Sequence, residues 1–247
     1  MSVPARGSKA WAIVVATILA LLTGSSCRKP LSGPYLDAAL KAGAWIASTE
    51  IRGPEGLSWP AVPPDPQTVG LDLYSGVPGV VLFQVQAFYA TGDPVFLDRA
   101  RGGADLLLAR APSVASAGLY DGLSGIGFAL EEAYKASNDA KYKRGFLDIL
   151  DRIAASAKAA GSGVEWSSTT DIISGGAGTG LFLIYAYRET GDRAWLDLAV
   201  KAGSRLIESG RPENGGLKWA MDPGFPPAHA ELFPRHGRHR LFPDLAL

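Results

Sequence analysis

Three segments of this chain align with one another without a gap, and this internal repeat constrains the fold more than any other feature. They read YSGVPGVVLFQVQAFYATGD (74–93), YDGLSGIGFALEEAYKASND (120–139) and ISGGAGTGLFLIYAYRETGD (173–192). Each segment has two glycines three positions apart, an aromatic residue further on and an aspartate at its end. Self-similarity of this kind indicates that the chain stacks several copies of one structural unit.

The residues after each closing aspartate predict a second helix in every unit. In the third copy, WLDLAVKAGSRLIESG (195–210) places apolar residues at helical spacing. The endings TGD and SND supply a helix stop followed by an N-cap. We therefore predict three helical hairpins, each with an inner helix opened by glycine and an outer helix opened by aspartate. The stretches GLSW (56–59), GVEW (163–166) and GLKW (216–219) predict short strand-like or turn elements.

The spacing of the repeats favours a ring of hairpins. The first glycines of the three blocks are Gly76, Gly122 and Gly175, which lie 46 and 53 residues apart. A tetratricopeptide array repeats every 34 residues or so, and this excludes that architecture. Units of this length suit a toroid in which inner helices surround a central hole and outer helices surround them.

Three stretches of the chain resemble a known family. DLYSGVPG, GLYDGLSGIGFAL and DIISGGAGTGLFL are similar to the first repeats of lanthionine synthetase C-like proteins, and the similarity covers roughly residues 35–225. The resemblance implies an all-α fold, an (α/α)6 toroid of helical hairpins. Three glycine blocks encode only about half of such a ring, so we expect an incomplete toroid of about three to four hairpins.

The N-terminus has the layout of a bacterial export signal. Arg6 and Lys9 precede the apolar run AWAIVVATILALL, and small residues then lead to Cys27, the one cysteine of the chain. The run is shorter than the roughly 20 residues that span a bilayer, so we expect a cleaved signal over residues 1–27. The pattern favours a lipoprotein acylated at Cys27 and tethered to the membrane by residues 28–34. Plain secretion and an uncleaved anchor are the alternatives.

The C-terminal residues 226–247 do not continue the pattern. They have no helical period and include all three histidines. AELFPRHGRHRLFP, which starts at Ala230, can be back-translated so that a frame shifted by one base reads PNFSHGTAGIAYFL. The shifted reading has the form of a fourth glycine block, so we expect that this tail is a frameshifted end of a longer cyclase-like gene.

The resemblance implies a zinc-dependent peptide cyclase, but little of that site can be carried over. In the family, two cysteines and a histidine hold a zinc ion that activates a peptide thiol for addition to a dehydroamino acid. A chain whose one cysteine is Cys27 cannot form this ligand set, so we expect no cofactor here, whereas a full-length member would hold zinc. Asp171 matches the family's possible acid/base residue, and it is our candidate catalytic residue. The alternative is that Asp171 caps the inner helix or binds backbone amides. Asp72 occupies the same repeat position in the first block, and a position that recurs in two repeats favours this structural alternative.

Three functions remain open from the sequence. The first is a cyclase-like protein at the cell envelope that acts on a peptide substrate. The second is a carbohydrate-active toroid using two of Asp72, Asp121 and Asp171, although Asp121 is also expected to be an N-cap. The third is a noncatalytic half-toroid that binds a partner. Lys and Arg together number 24, as do Asp and Glu, so the net charge gives no support for a nucleic-acid partner.

Overall fold

The computed structural model describes residues 33–213 and 215–221. The predicted signal segment 1–27 with its lipidation site Cys27, nearly all of the tether 28–34, and the tail 226–247 lie outside these residues. Within the described part, no helix is both long and apolar enough to cross a membrane.

Seven α-helices make up most of the described chain, and after the first they alternate between 15 and 17 residues in length. Their bounds are α1 Pro34–Ser48, α2 Val77–Thr91, α3 Pro94–Arg110, α4 Leu123–Ser137, α5 Ala140–Ser156, α6 Gly176–Thr190 and α7 Arg193–Ser209. Two single 3-10 turns lie at Pro66–Thr68 and Ala111–Ser113. The glycine blocks form α2, α4 and α6, and the aspartate-initiated segments form α3, α5 and α7, as predicted.

The aspartates that close the repeats are N-caps, as the sequence predicted. Asp93, Asp139 and Asp192 each accept a hydrogen bond from the amide two residues later, at 3.0, 3.1 and 2.9 Å. The residue before each aspartate ends the inner helix in the left-handed conformation, and in α4 this residue is Asn138 with a φ of 55°. These local signals fix the sharp turn between the two helices of every hairpin.

Three antiparallel β-hairpins follow the helices α1, α5 and α7, and they confirm the predicted strand-like stretches. They pair β1 Ile51–Gly53 with β2 Gly56–Ser58, β3 Lys158–Ala160 with β4 Gly163–Glu165, and β5 Arg211–Glu213 with β6 Gly216–Lys218. The tryptophan after β4 or β6 ties its hairpin to the preceding helix. Trp166 Nε1 donates to the Ile153 carbonyl at 2.8 Å, and Trp219 Nε1 donates to the Leu206 carbonyl at 2.6 Å.

The hydrophobic core lies between the helices of each hairpin and between successive hairpins. Tyr142 and Phe146 on α5 are fully buried, and the Phe146 ring meets Phe182 of α6 edge to face at 6.0 Å. Contacts of this kind join α4/α5 to α6/α7, while α2 packs directly on α4. The architecture is therefore an all-α, incomplete toroid of helical hairpins.

The last described hairpin leaves part of its apolar surface uncovered. Val85, Glu131 and Ile184 occupy the same position in the three inner helices. Val85 and Glu131 are 0% and 1% exposed, whereas Ile184 is 42% exposed. In the first two hairpins this face is buried, whereas in the third the described residues leave it open.

Candidate functional site

Three equivalent loops lead into the inner helices, and we call them the rim loops: residues 70–76, 116–122 and 169–175. Each loop folds back on the helix that follows it. The amide of the first helical residue donates to a carbonyl seven residues earlier, at 2.9 Å from Val77 to Gly70, 2.8 Å from Leu123 to Ser116 and 3.0 Å from Gly176 to Thr169. The shared backbone pattern explains why the glycine blocks align without gaps.

The paired glycines let these loops lie directly against the helices. A Cβ atom built on Gly175 would be 2.6 Å from the Thr169 carbonyl oxygen, and one on Gly79 would be 2.7 Å from that of Leu73. Both oxygens belong to the residue six positions before the glycine, and the other glycines of the three pairs meet the equivalent carbonyl. The glycines are therefore a packing requirement.

Backbone hydrogen bonds join the rim loops into one continuous surface. The Leu73 amide donates to the Tyr120 carbonyl at 2.7 Å, and the Tyr120 amide donates to the Ile173 carbonyl at 2.9 Å. The tertiary structure therefore brings together three segments that are about 50 residues apart in the chain. They line the end of the toroid where the inner helices begin.

Asp171 binds the backbone of its own rim loop. Its Oδ1 atom accepts hydrogen bonds from the amides of Ile173, Ser174 and Gly175 at 3.0, 2.9 and 3.0 Å. This geometry holds the loop in the shape that starts α6. The Oδ2 atom has no hydrogen-bond partner among the described residues, and the side chain is partly exposed. One oxygen of the candidate catalytic residue therefore has a structural role, while the other can reach a ligand.

The other two rim aspartates differ from Asp171 in detail. Asp72 Oδ1 accepts from the amide and the hydroxyl of Ser75 at 2.7 and 3.0 Å. Asp121 accepts from the Ser116 hydroxyl at 3.1 Å. The prediction that Asp121 is an N-cap is wrong, because Gly122 holds that position and has no side-chain cap. Each carboxylate accepts hydrogen bonds through Oδ1 from groups of its own loop.

Apolar side chains on the rim escaped the sequence analysis. Tyr74, Tyr120 and Ile173 each lie two residues before the first glycine of a block. Tyr74 is 78% exposed and Ile173 is 42% exposed. The rings of Tyr74 and Tyr120 meet edge to face with centroids 6.1 Å apart. Their equal phase in the repeat is visible in the sequence, but only the structure shows that Tyr74 and Ile173 are exposed and that the half-buried Tyr120 ring lies against Tyr74.

A polar network links the inner helices α4 and α6. Glu132 Oε1 accepts from the Tyr185 hydroxyl at 2.7 Å and from Lys135 Nζ at 2.8 Å, and Lys135 also reaches Glu189 at 3.3 Å. Burial, reinforced by the hydrogen bond to Glu132, raises the pKa of Tyr185 well above its ordinary value. Burial opposes the charge of Lys135, yet Glu132 and Glu189 together raise the pKa of that ammonium group. The network joins the second and third hairpins.

A buried ion pair lies within the second hairpin. Glu131 on α4 is 1% exposed and its Oε1 accepts from Lys143 Nζ on α5 at 2.7 Å. Burial raises the pKa of Glu131, and the hydrogen bond and charge of Lys143 offset only part of this effect. The pair lies between two helices, away from the rim loops, so we assign it to the hairpin core.

The zinc site of the family does not fit this chain. Two cysteines are required, and the sequence contains only Cys27. His229, His236 and His239 are its only histidines, and they lie outside the described residues. Residues 33–213 and 215–221 hold no cluster of three or more histidine, cysteine, aspartate or glutamate side chains suited to a metal ion. The one cysteine and the described residues therefore do not provide the family's zinc ligand set.

Comparison with known proteins supports the similarity that the repeats suggested. A family model described as "Lanthionine synthetase C-like protein" matches residues 67–217, a segment that includes all three glycine blocks and all three rim loops. No curated protein matches the chain significantly. The matched segment is more than half of the chain and has the helical-hairpin architecture described above. The chain belongs to the lanthionine synthetase C-like family.

Proposed function

We propose that this chain is a peptide-binding member of its family, which holds a peptide on the rim loops and supplies no zinc chemistry of its own. Family membership gives the ligand class, because the related cyclases act on cysteine-containing peptides that carry dehydroamino acids. The rim supports the proposal through one observation. Three loops joined by backbone hydrogen bonds place Tyr74, Tyr120 and Ile173 at one repeat position, where Tyr74 and Ile173 are exposed and Tyr120 is half-buried.

The family's zinc ligands are needed for cyclisation of the peptide, whereas binding of the peptide does not need them. Cyclisation joins the cysteine sulfur to the β-carbon of the dehydroamino acid and places a proton on its α-carbon, with no atom lost. A neutral thiol is a weak nucleophile, and in the family zinc makes it a thiolate. Because one cysteine cannot form a two-cysteine site, our proposal assigns this chain recognition of the peptide.

The role of Asp171 remains a prediction, and two variants of this residue can test it. As an acid/base residue, it would use Oδ2 to exchange a proton with a bound peptide. As a positioning residue, it would act through the three amides bound to Oδ1. Asp171→Asn keeps an acceptor oxygen for these amides and removes the charge, whereas Asp171→Ala removes both. The pair of variants distinguishes the two roles.

The test uses the full chain and a fluorescent dehydrated peptide that contains cysteine. Fluorescence anisotropy measures binding, and the count of peptide thiols that still react with a maleimide measures cyclisation. We expect saturable binding and an unchanged thiol count, with zinc or without it. Absence of binding would refute the proposal, and a zinc-dependent loss of thiols would refute the assignment to recognition alone. If thiols are lost, slower loss with Asp171→Asn than with the parent chain would assign Asp171 the acid/base role. Weaker peptide binding with Asp171→Ala than with Asp171→Asn would assign it the positioning role.

We further propose that Cys27 is acylated and holds the chain at the cell envelope. This rests on the arrangement of basic, apolar and small residues before Cys27. Metabolic labelling with an alkyne fatty acid should mark the full chain expressed in a bacterium and should fail with Cys27→Ala. Equal labelling of both chains, or of neither, would contradict acylation at this residue.

A further inference from the structure

The three rim loops carry charge of one sign. Residues 70–76, 116–122 and 169–175 contain Asp72, Asp121 and Asp171 but no lysine or arginine. The chain as a whole has equal numbers of basic and acidic residues, so this excess belongs to the rim. A surface with several carboxylates and no cations attracts positively charged ligands.

The rim carboxylates are not neutralised by the described parts of the fold. Asp72 and Asp121 accept hydrogen bonds from serine groups, and Asp171 accepts from backbone amides, in each case through Oδ1. Among the described residues, no ion pair includes any of the three. Asp121 is exposed and the other two are partly exposed. Their second oxygens are therefore available to a cation in solution.

Apolar groups lie among these carboxylates. Tyr74, Ile172 and Ile173 are 78%, 46% and 42% exposed, and the Tyr120 ring contacts that of Tyr74. Aromatic rings bind both apolar side chains and cations, because the ring face carries partial negative charge that attracts lysine or arginine. An exposed surface that combines rings, aliphatic side chains and carboxylates fits a ligand that is both apolar and cationic.

We propose that the rim loops select cationic peptide segments in which lysine or arginine lies next to large apolar residues. This inference rests on the proposed function and names the class of peptide that the same surface takes. The basic side chains pair with Asp72, Asp121 and Asp171, and the apolar side chains cover Tyr74, Tyr120 and Ile173. An acidic peptide is repelled, and a basic peptide without apolar residues leaves the tyrosines and isoleucines exposed to water.

The test compares three short fluorescent peptides on the full chain by anisotropy. One alternates lysine with phenylalanine and leucine, the second replaces lysine with glutamate, and the third replaces the apolar residues with serine. We expect the first to bind most tightly and to weaken as salt rises above about 0.1 M, where charges are screened within about 10 Å. Equal binding of the lysine and glutamate peptides would overturn the inference while leaving peptide binding intact. Absence of binding by all three would instead count against the proposed function.

Variants locate the effect on the rim. Asp72→Asn, Asp121→Asn and Asp171→Asn should each weaken binding of the lysine peptide by up to about fivefold, the range for exposed charge pairs. Asp148→Asn is the matched control, because this exposed aspartate lies on the outer helix α5. Tyr74→Ser should weaken binding more than Tyr35→Ser, which alters a tyrosine 91% exposed on α1. Equal effects of rim and control variants would overturn the inference.

Discussion

Two helical glycines allow one substitution to be tested in two opposite environments. Gly79 lies in the first turn of α2, where an added Cβ would be 2.7 Å from the Leu73 carbonyl oxygen. Gly203 lies inside α7, where an added Cβ would meet nothing within 4 Å. Alanine at both positions adds the same methyl group to a helical residue. We predict that Gly79→Ala destabilises the protein and that Gly203→Ala stabilises it.

The magnitudes follow from two opposing effects. In a helix, alanine is more stable than glycine by about 0.8–1.0 kcal/mol, and Gly203→Ala should gain roughly that amount. At Gly79 the methyl group would displace the Leu73 carbonyl. The Leu73 amide is itself bound to Tyr120 of the next rim loop at 2.7 Å, so the loop cannot move freely. Overpacking of this kind costs about 1–3 kcal/mol, which leaves a net loss of up to about 2 kcal/mol.

The assay is urea unfolding followed by circular dichroism at the helical band. With a slope of about 2–3 kcal/mol per molar urea, the midpoint should fall by up to about 0.7–1 M for Gly79→Ala and rise by roughly 0.3–0.5 M for Gly203→Ala. Similar increases for both variants would refute the argument that the loop carbonyl excludes a side chain at Gly79. Similar decreases would contradict the expectation that alanine at Gly203, where nothing lies within 4 Å of the added Cβ, stabilises the helix.

Three further predictions concern single contacts. Asp139→Ala should lower the unfolding free energy by about 1 kcal/mol, because it removes the cap hydrogen bond from the Lys141 amide. Urea unfolding measures this loss, and the exposed Asp148→Ala is the control variant. Tyr185→Phe removes the 2.7 Å hydrogen bond to Glu132 and should cost about 1–2 kcal/mol, whereas exposed Tyr35→Phe should cost nothing measurable; equal effects would contradict the role of the contact. Burial raises the pKa of Glu131, so the folded state holds this proton more tightly than the unfolded chain does. Its contribution to stability is therefore present below the ordinary pKa of 4.5 and is lost as the pH rises through the raised value. Glu131→Gln should flatten that fall in a series of unfolding curves at increasing pH, and an unchanged slope would contradict the assignment.

Much of the hairpin architecture could be predicted because its signals are local. Asp139 caps its helix through the amide two residues later, and Asn138 ends the preceding helix through its own backbone conformation. Such interactions span a few residues, and they recur wherever the sequence recurs. The same reasoning failed at Asp121, because the one-residue offset between it and the true N-cap Gly122 depends on how the whole rim loop folds back.

The candidate site was less predictable because its parts come from different repeats. Asp171 could be singled out from its place before a glycine block, but its three amide partners follow from the loop conformation. The shared surface of Tyr74, Tyr120 and Ile173 depends on hydrogen bonds between loops about 50 residues apart. No local sequence pattern indicates which of these distant loops are joined by hydrogen bonds.

The sequence by itself determined the repeat, the starts of the two helices in each repeated hairpin, and the family, since these depend on glycines, capping aspartates and apolar spacing that act over short stretches of chain. It also shows that these 247 residues contain one cysteine, Cys27, and therefore do not supply two cysteine ligands for zinc. Only the tertiary structure decided what the glycines accommodate and which residues the rim exposes. The physical reason is that close packing of a loop carbonyl on Gly79, and the joining of Tyr120 to Ile173, exist only after the hairpins have stacked.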